Sequence, residues 1–185
     1  MKSMKALLLI GGKSQRMGAE KHLLDVNGRT QYHHLYNMLT DMGLDVCVSC
    51  NVEQYRDLPE SHYKLVDQYD AIGPIGGLVS AINHRPEESW LIVACDLVNV
   101  TQDTLKRLIE AADEEHDIIT YQPEGSDYLE TTVTIYQPTS FRVVLDAIEM
   151  GLYGLQRVLK QCKVKTVSPK DNAELKNVNT PEDLD

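Results

Sequence analysis

A mostly parallel β-sheet covered by helices on both faces, in three α/β/α layers of the Rossmann-like kind, is the fold class that three features of this sequence predict. Apolar runs of strand length alternate with segments of helical apolar spacing along the whole chain. Several of these runs are continuous, as in strands buried on both faces. The 185 residues, 42% of them hydrophobic, suffice for one domain with a sizeable core. Strands separated by helix-length connections lie parallel, and the crossovers take the right-handed sense.

Each element has its own signal. KALLLI (5–10) reads as a fully buried strand. Leu35, Met38, Leu39 and Met42 follow at helical spacing, with Gly43 at the helix end. DVCVSC (45–50) and YKLVD (63–67) are strands, and the breaker-rich QYDAIGP leads into a helix bearing Ile75, Leu78, Val79 and Ile82. SWLIVACD (89–96) is the clearest buried strand. Thr101 then caps a helix with Leu105, Leu108, Ile109 and Ala112, and Asp103 lies in its first turn, where the helix dipole favours negative charge. DIITY (117–121) resumes the sheet, and YLETTVTIY (128–136) reads as a longer strand. Helices on Phe141, Val144, Leu145, Ile148 and on Leu155, Val158, Leu159, Cys162 precede a last strand, KVKTVS (163–168). Without a repeat, low-complexity tract or linker, residues 1–185 read as one domain. In NTPEDLD (179–185), Thr180 suits an N-cap and Pro181 a first helical position, so the reading is that the domain continues beyond residue 185.

Composition excludes several functions. A net charge of −10 argues against nucleic acid or an anionic membrane as partner, since both are met by clustered Lys and Arg. No apolar stretch is long enough to span a bilayer or to form a signal-peptide core, so a cytoplasmic location is expected. The four cysteines, Cys47, Cys50, Cys95 and Cys162, are too sparse for a disulfide framework. The first two form a CxxC on a strand, where residues three apart face opposite sides. His33 and His34 lack a third ligand at zinc spacing and are read as surface residues, and Trp90 is read as packing at a strand start.

The segment LLLIGGKSQRMGAEK (7–21) carries the chemistry. Its Gly12-Lys13-Ser14 invites comparison with a Walker A loop, but that motif needs glycine where Leu7 stands. What the residues do support is an anion site. A buried strand ends at Gly11-Gly12, where missing side chains let backbone amides approach a phosphate, and Lys13, Arg16 and Lys21 supply local positive charge. Ligands of open parallel sheets bind outside the carboxyl ends of strands, where this loop lies. Asp96, the first charged residue after WLIVAC, ends another such strand, and magnesium commonly takes only one or two carboxylates beside phosphates and water.

LLLIGGKSQRMGAEKHLL resembles the LxGGxSxRMGxxK signature of the molybdenum cofactor guanylyltransferase family. VDQYDAIGPIGGL is similar to that family's aspartate followed by a GPLAG loop, WLIVACD to its strand ending in CD, and NVNTPEDL to its closing motif, in the same order along the chain. The resemblance implies the nucleotide-diphospho-sugar transferase type of fold. It also implies transfer of GMP from GTP to the terminal phosphate of molybdopterin cofactor, with Mg2+ and release of pyrophosphate. Carried over, the nucleotide site comprises Leu9, Ile10, Gly11 and Gly12, with Arg16 and Lys21 on the phosphates, Asp67 on the nucleotide and Asp96 on the metal. Asp70 is a rival to Asp67 read as a local cap, and Asn177 or Asn179 is expected near Asp96.

The chain departs from the family pattern in three places. Val98 stands where a proline usually follows the metal aspartate. Ser49 replaces an asparagine of some relatives, with Asn51 two residues on, and Thr131-Thr132 follow the retained Glu130 in the half expected to face the pterin. A cytidylyltransferase or sugar-phosphate nucleotidyltransferase of the same fold, and a non-catalytic nucleotide-binding module, remain alternatives.

Overall fold

The computed structural model describes residues 3–10, 25–26, 29–69 and 71–178. Its main sheet has seven strands in the order β5-β4-β1-β6-β8-β7-β9. The first half is built from β1 (Met4–Leu9), β4 (Asp45–Cys50), β5 (Tyr63–Val66) and β6 (Ser89–Ala94), all parallel. β7 (Ile118–Tyr121) and β9 (Val164–Val167) run the same way, and β8 (Val133–Tyr136) runs against its neighbours β6 and β7. A small hairpin of β2 (Asp25–Val26) and β3 (Arg29–Thr30) stands apart from this sheet. The mostly parallel α/β architecture is the one the alternation of patterns predicts.

Helices α1 (Gln31–Asp41), α2 (Val52–Asp57), α3 (Pro74–His84), α4 (Gln102–Glu110), α5 (Phe141–Glu149) and α6 (Leu155–Leu159) connect the strands. Every residue of β6, β7 and β8 is buried, so both faces of the sheet centre are covered. Leu7, Leu8, Leu91, Ile92 and Val93 form the middle of the core, and Trp90 packs at the start of β6 with no exposed surface. All four cysteines are free, and His33 and His34 lie exposed on α1.

Two elements differ from the sequence reading. α2 occupies a stretch between DVCVSC and YKLVD to which the sequence pattern assigns no element. Asn51 caps it by accepting from the Gln54 amide at 2.8 Å, while the Gln54 side chain accepts from the Asn51 amide at 3.1 Å. The long strand over 128–136 is shortened to four residues. Its first half sends its donors elsewhere: Glu130 Oε1 accepts from the amides of Thr131 and Thr132 and from the Thr132 hydroxyl, at 2.7, 2.8 and 2.7 Å. A carboxylate that gathers adjacent N–H groups competes directly with a strand ladder.

Candidate active site at the carboxyl edge of the sheet

The ends of β1, β4, β5 and β6 lie side by side at one edge of the sheet, because these four strands are parallel and in register. The end of β1 is fixed on both sides. The Leu9 carbonyl accepts from the Cys95 amide at 3.0 Å, and the Ile10 amide donates to Ser49 at 3.2 Å. Gln54 reaches from α2 to the Ile10 carbonyl at 3.3 Å. Leu9 and Ile10 thus form a braced platform immediately before Gly11-Gly12 in the sequence. Gly11, Gly12, Lys13, Arg16 and Lys21, which carry the phosphate-binding expectation, lie outside the described residues, as do Asp70, Asn179 and Thr180.

Asp67 follows β5 at this edge. Its amide donates to the Cys50 carbonyl at 2.9 Å, and its Oδ1 accepts from the Ser49 hydroxyl at 2.6 Å. Ser49 is 1% exposed, so its donor is held against the carboxylate in a solvent-poor setting. Burial first, and then the Asp67 charge, pushes the Cys50 thiol up to about 11, so this cysteine stays protonated at neutral pH and offers no thiolate. Beyond Asp67, the Gln68 amide donates to Ser80 Oγ at 2.8 Å and ties the loop to α3.

Two glycines let α3 approach. Gly73 begins the helix at φ 82°, a conformation that L side chains rarely adopt, with Pro74 at the first turn. A Cβ added at Gly77 would come within 2.7 Å of Leu9 Cδ2 and closer still to Ser49 Oγ. The helix can therefore lie directly against the ends of β1 and β4 only because position 77 has no side chain. The spacing of the sequence places Gly76-Gly77 inside a helix, where glycine costs about 1 kcal/mol each against alanine, and that cost was the available signal of close packing. Ser49 carried no such signal as a partner of Asp67, since their pairing depends on the β4–β5 register.

Asp96 lies just past β6, two strand positions from β4 and three from β5, so roughly 14 Å separates the β5 and β6 ends at ordinary strand spacing. The Asp96 carbonyl accepts from the Val178 amide at 2.9 Å, and Leu97 pairs with Asn177 in an antiparallel bridge. Of the two asparagines expected near Asp96, Asn177 is thereby paired with the next residue, Leu97, and Asn179 lies outside the described residues. The segment 171–178 is held there by Asn99 Nδ2, which donates to Ala173 at 2.9 Å, and by Arg107, which pairs with Glu174. Among the described residues no three His, Cys, Asp or Glu side chains gather as a metal site. A single hard carboxylate such as Asp96 suits a magnesium ion that takes its remaining oxygens from phosphates and water, and does not suit zinc.

The family profile described as MobA-like NTP transferase domain matches residues 6–167. The chain belongs to this family. Its relatives include a molybdenum cofactor guanylyltransferase of Photobacterium profundum, 29% identical over 188 residues that cover 96% of this chain and 92% of that protein. A molybdenum cofactor biosynthesis bifunctional protein of Synechocystis is 29% identical over 178 residues, 96% of this chain, and the chain spans 51% of that protein's length. Among solved structures, molybdopterin-guanine dinucleotide biosynthesis protein A of Archaeoglobus fulgidus superposes with a TM-score of 0.80 at 23% identity, over 98% of this chain and 95% of that one. The likeness confirms the nucleotidyltransferase fold that the sequence motifs imply.

Proposed function

We propose that this chain transfers GMP from GTP to the terminal phosphate of a molybdopterin-type cofactor, giving the guanine dinucleotide form and pyrophosphate. The reading is carried by the placement of Asp67, braced by Ser49, and Asp96, beside Asn177, on strand ends that flank the β1 platform. The family membership and the guanylyltransferase relatives support it.

In this reading Asp67 holds the nucleoside, and Gly11, Gly12, Arg16 and Lys21 hold the triphosphate. An acceptor phosphate oxygen attacks the α-phosphorus of GTP in line, the α–β bridging bond breaks, and pyrophosphate leaves. The protein forms no covalent bond to either substrate. Its residues hold attacking and leaving oxygens in line and offset the charge that develops on them. Asp96 would hold Mg2+, which when bound supplies charge neutralisation at the reacting phosphates. Leu9 and Ile10, fixed by Cys95, Ser49 and Gln54, keep the start of the phosphate loop in place. A cytoplasmic setting accords with four free thiols.

The test is pyrophosphate release on incubation with molybdopterin and each nucleoside triphosphate in turn, with the product identified by mass. Release with GTP and a guanine dinucleotide product is expected. Preference for CTP would replace guanylyl by cytidylyl transfer, and no release with any nucleotide would overturn the assignment.

A further inference from the structure

The turn that carries Asp96 is also held by a buried residue of α1 to which the proposed reaction gives no part. We infer that Gln31 is a positioning residue for the metal: through the Leu97 carbonyl it fixes the turn that aims the Asp96 carboxylate. The inference rests on the proposed placing of Mg2+ at Asp96. The turn needs such support, because β6 ends at Ala94 and residues 96–99 contain no proline to stiffen them. Separate hydrogen bonds hold it instead. The Leu97 amide donates back to the Ala94 carbonyl at 3.3 Å, and the segment 171–178 supplies the Val178 and Ala173 contacts. From α1, Gln31 Nε2 donates to the Leu97 carbonyl at 3.2 Å. This helix is firmly seated, since Tyr32, Leu35, Met38 and Leu39 are buried and it packs on β1 and β4. Gln31 therefore ties the turn to a rigid element.

The second observation is energetic. Gln31 has no exposed surface, and its Oε1 has no hydrogen-bond partner. The orientation of the amide is forced, because the Leu97 carbonyl can only accept and must face the nitrogen. A buried acceptor left unmet is costly, and an apolar side chain of the same length would fill the space without that cost. Glutamine is thus a poor choice for stability alone at this position. What it adds over an apolar residue is the grip on Leu97. Shut off from solvent, Gln31 touches neither nucleotide nor metal, and it acts through Leu97 on the adjacent Asp96.

Gln31→Met keeps the length of the side chain and removes the donor. The experiment titrates GTP into the full chain by calorimetry, with and without saturating Mg2+, and follows unfolding in denaturant. In the parent chain Mg2+ should tighten GTP binding. Gln31→Met should cut that gain by about tenfold, as loss of outer support does at metal sites, with metal-free GTP affinity unchanged and the denaturant midpoint equal or higher. Added to Asp96→Asn, Gln31→Met should change the magnesium gain no further, because both act through one carboxylate. A parent-like gain in Gln31→Met, beside a loss in Asp96→Asn, would overturn the role of Gln31 and leave the proposed reaction standing. A gain that persists in Asp96→Asn would instead remove the metal from Asp96 and overturn both readings. A midpoint that falls together with the gain would make Gln31 a structural residue only and overturn the inference.

Discussion

At the scale of single residues, the carboxylates divide the work by what surrounds them. Asp67 is oriented by the buried Ser49 hydroxyl, and in the proposed reaction it holds the nucleoside in a fixed direction. Asp67→Ala is expected to weaken GTP binding in calorimetry while leaving the fold intact. Ser49→Ala should weaken binding by about fivefold, the order of one neutral-donor hydrogen bond. Unchanged GTP affinity in both variants would remove this pair from the nucleotide contact. Lys21→Ala and Asp96→Asn should each lower turnover by roughly a hundredfold or more, as the loss of one electrostatic group does in other enzymes. Initial rates of pyrophosphate release measure this, and near-parental turnover would exclude the residue concerned. Gly77→Ala tests packing: a methyl group directed at Leu9 and Ser49 should cost about 1–3 kcal/mol, read from the denaturant midpoint.

At the scale of elements, the segment 171–178 and α4 act together. Arg107 joins Asp103 of its own helix to Glu174, Thr104 Oγ1 donates to Glu174 at 3.2 Å, and Lys170 adds a contact to Asp103. This network fixes the approach of Asn177 to Asp96 from a distance. Arg107→Ala should therefore lower turnover by roughly ten- to a hundredfold, as loss of outer support does at metal sites, with GTP affinity in the absence of magnesium nearly unchanged. Equal loss of that affinity would show a general unfolding of the edge. Asp113 plays a comparable part at the other end of the second half, where it joins Lys165 of β9 to His116. Hydrogen bonds from Lys165 and then His116 hold its carboxyl well below the usual carboxylate range. A depressed folded-state value means that the contribution is present at neutral pH and is lost as pH falls through and below the ordinary carboxylate range. Asp113→Asn should flatten that part of the acid-unfolding profile, and an unchanged profile would contradict the linkage.

At the scale of the molecule, the parallel order β5-β4-β1-β6 brings residues far apart in sequence to one edge. The strands that compose it were legible because each is a short apolar run with a helix after it, and β4 appears over the same residues, Asp45–Cys50, that its pattern marks. The caps were legible where a polar residue stands at the right offset, as with Thr101 before α4. The Asn51 and Gln54 spacing carried the same code, yet its helix is only six residues long and lacks an apolar stripe. YLETTVTIY misled because its composition favours a strand, while Glu130 diverts the amides that pairing requires. In the candidate site, Asp96 stood out as the first charged residue after an apolar strand, whereas Asp67 was picked out only by its place in the family motif. The Ser49 contact and the Arg107 network were not, because they join residues 18 and 67 positions apart. The proposed reaction requires that a guanine nucleotide bind with magnesium at this edge. Its most direct test is calorimetric titration of the chain and of Asp96→Asn with GTP, CTP, ATP and UTP, with and without magnesium. Magnesium-dependent preference for GTP, lost in Asp96→Asn, is the expected result, whereas magnesium-independent binding without base preference, equal in both proteins, would rule the assignment out.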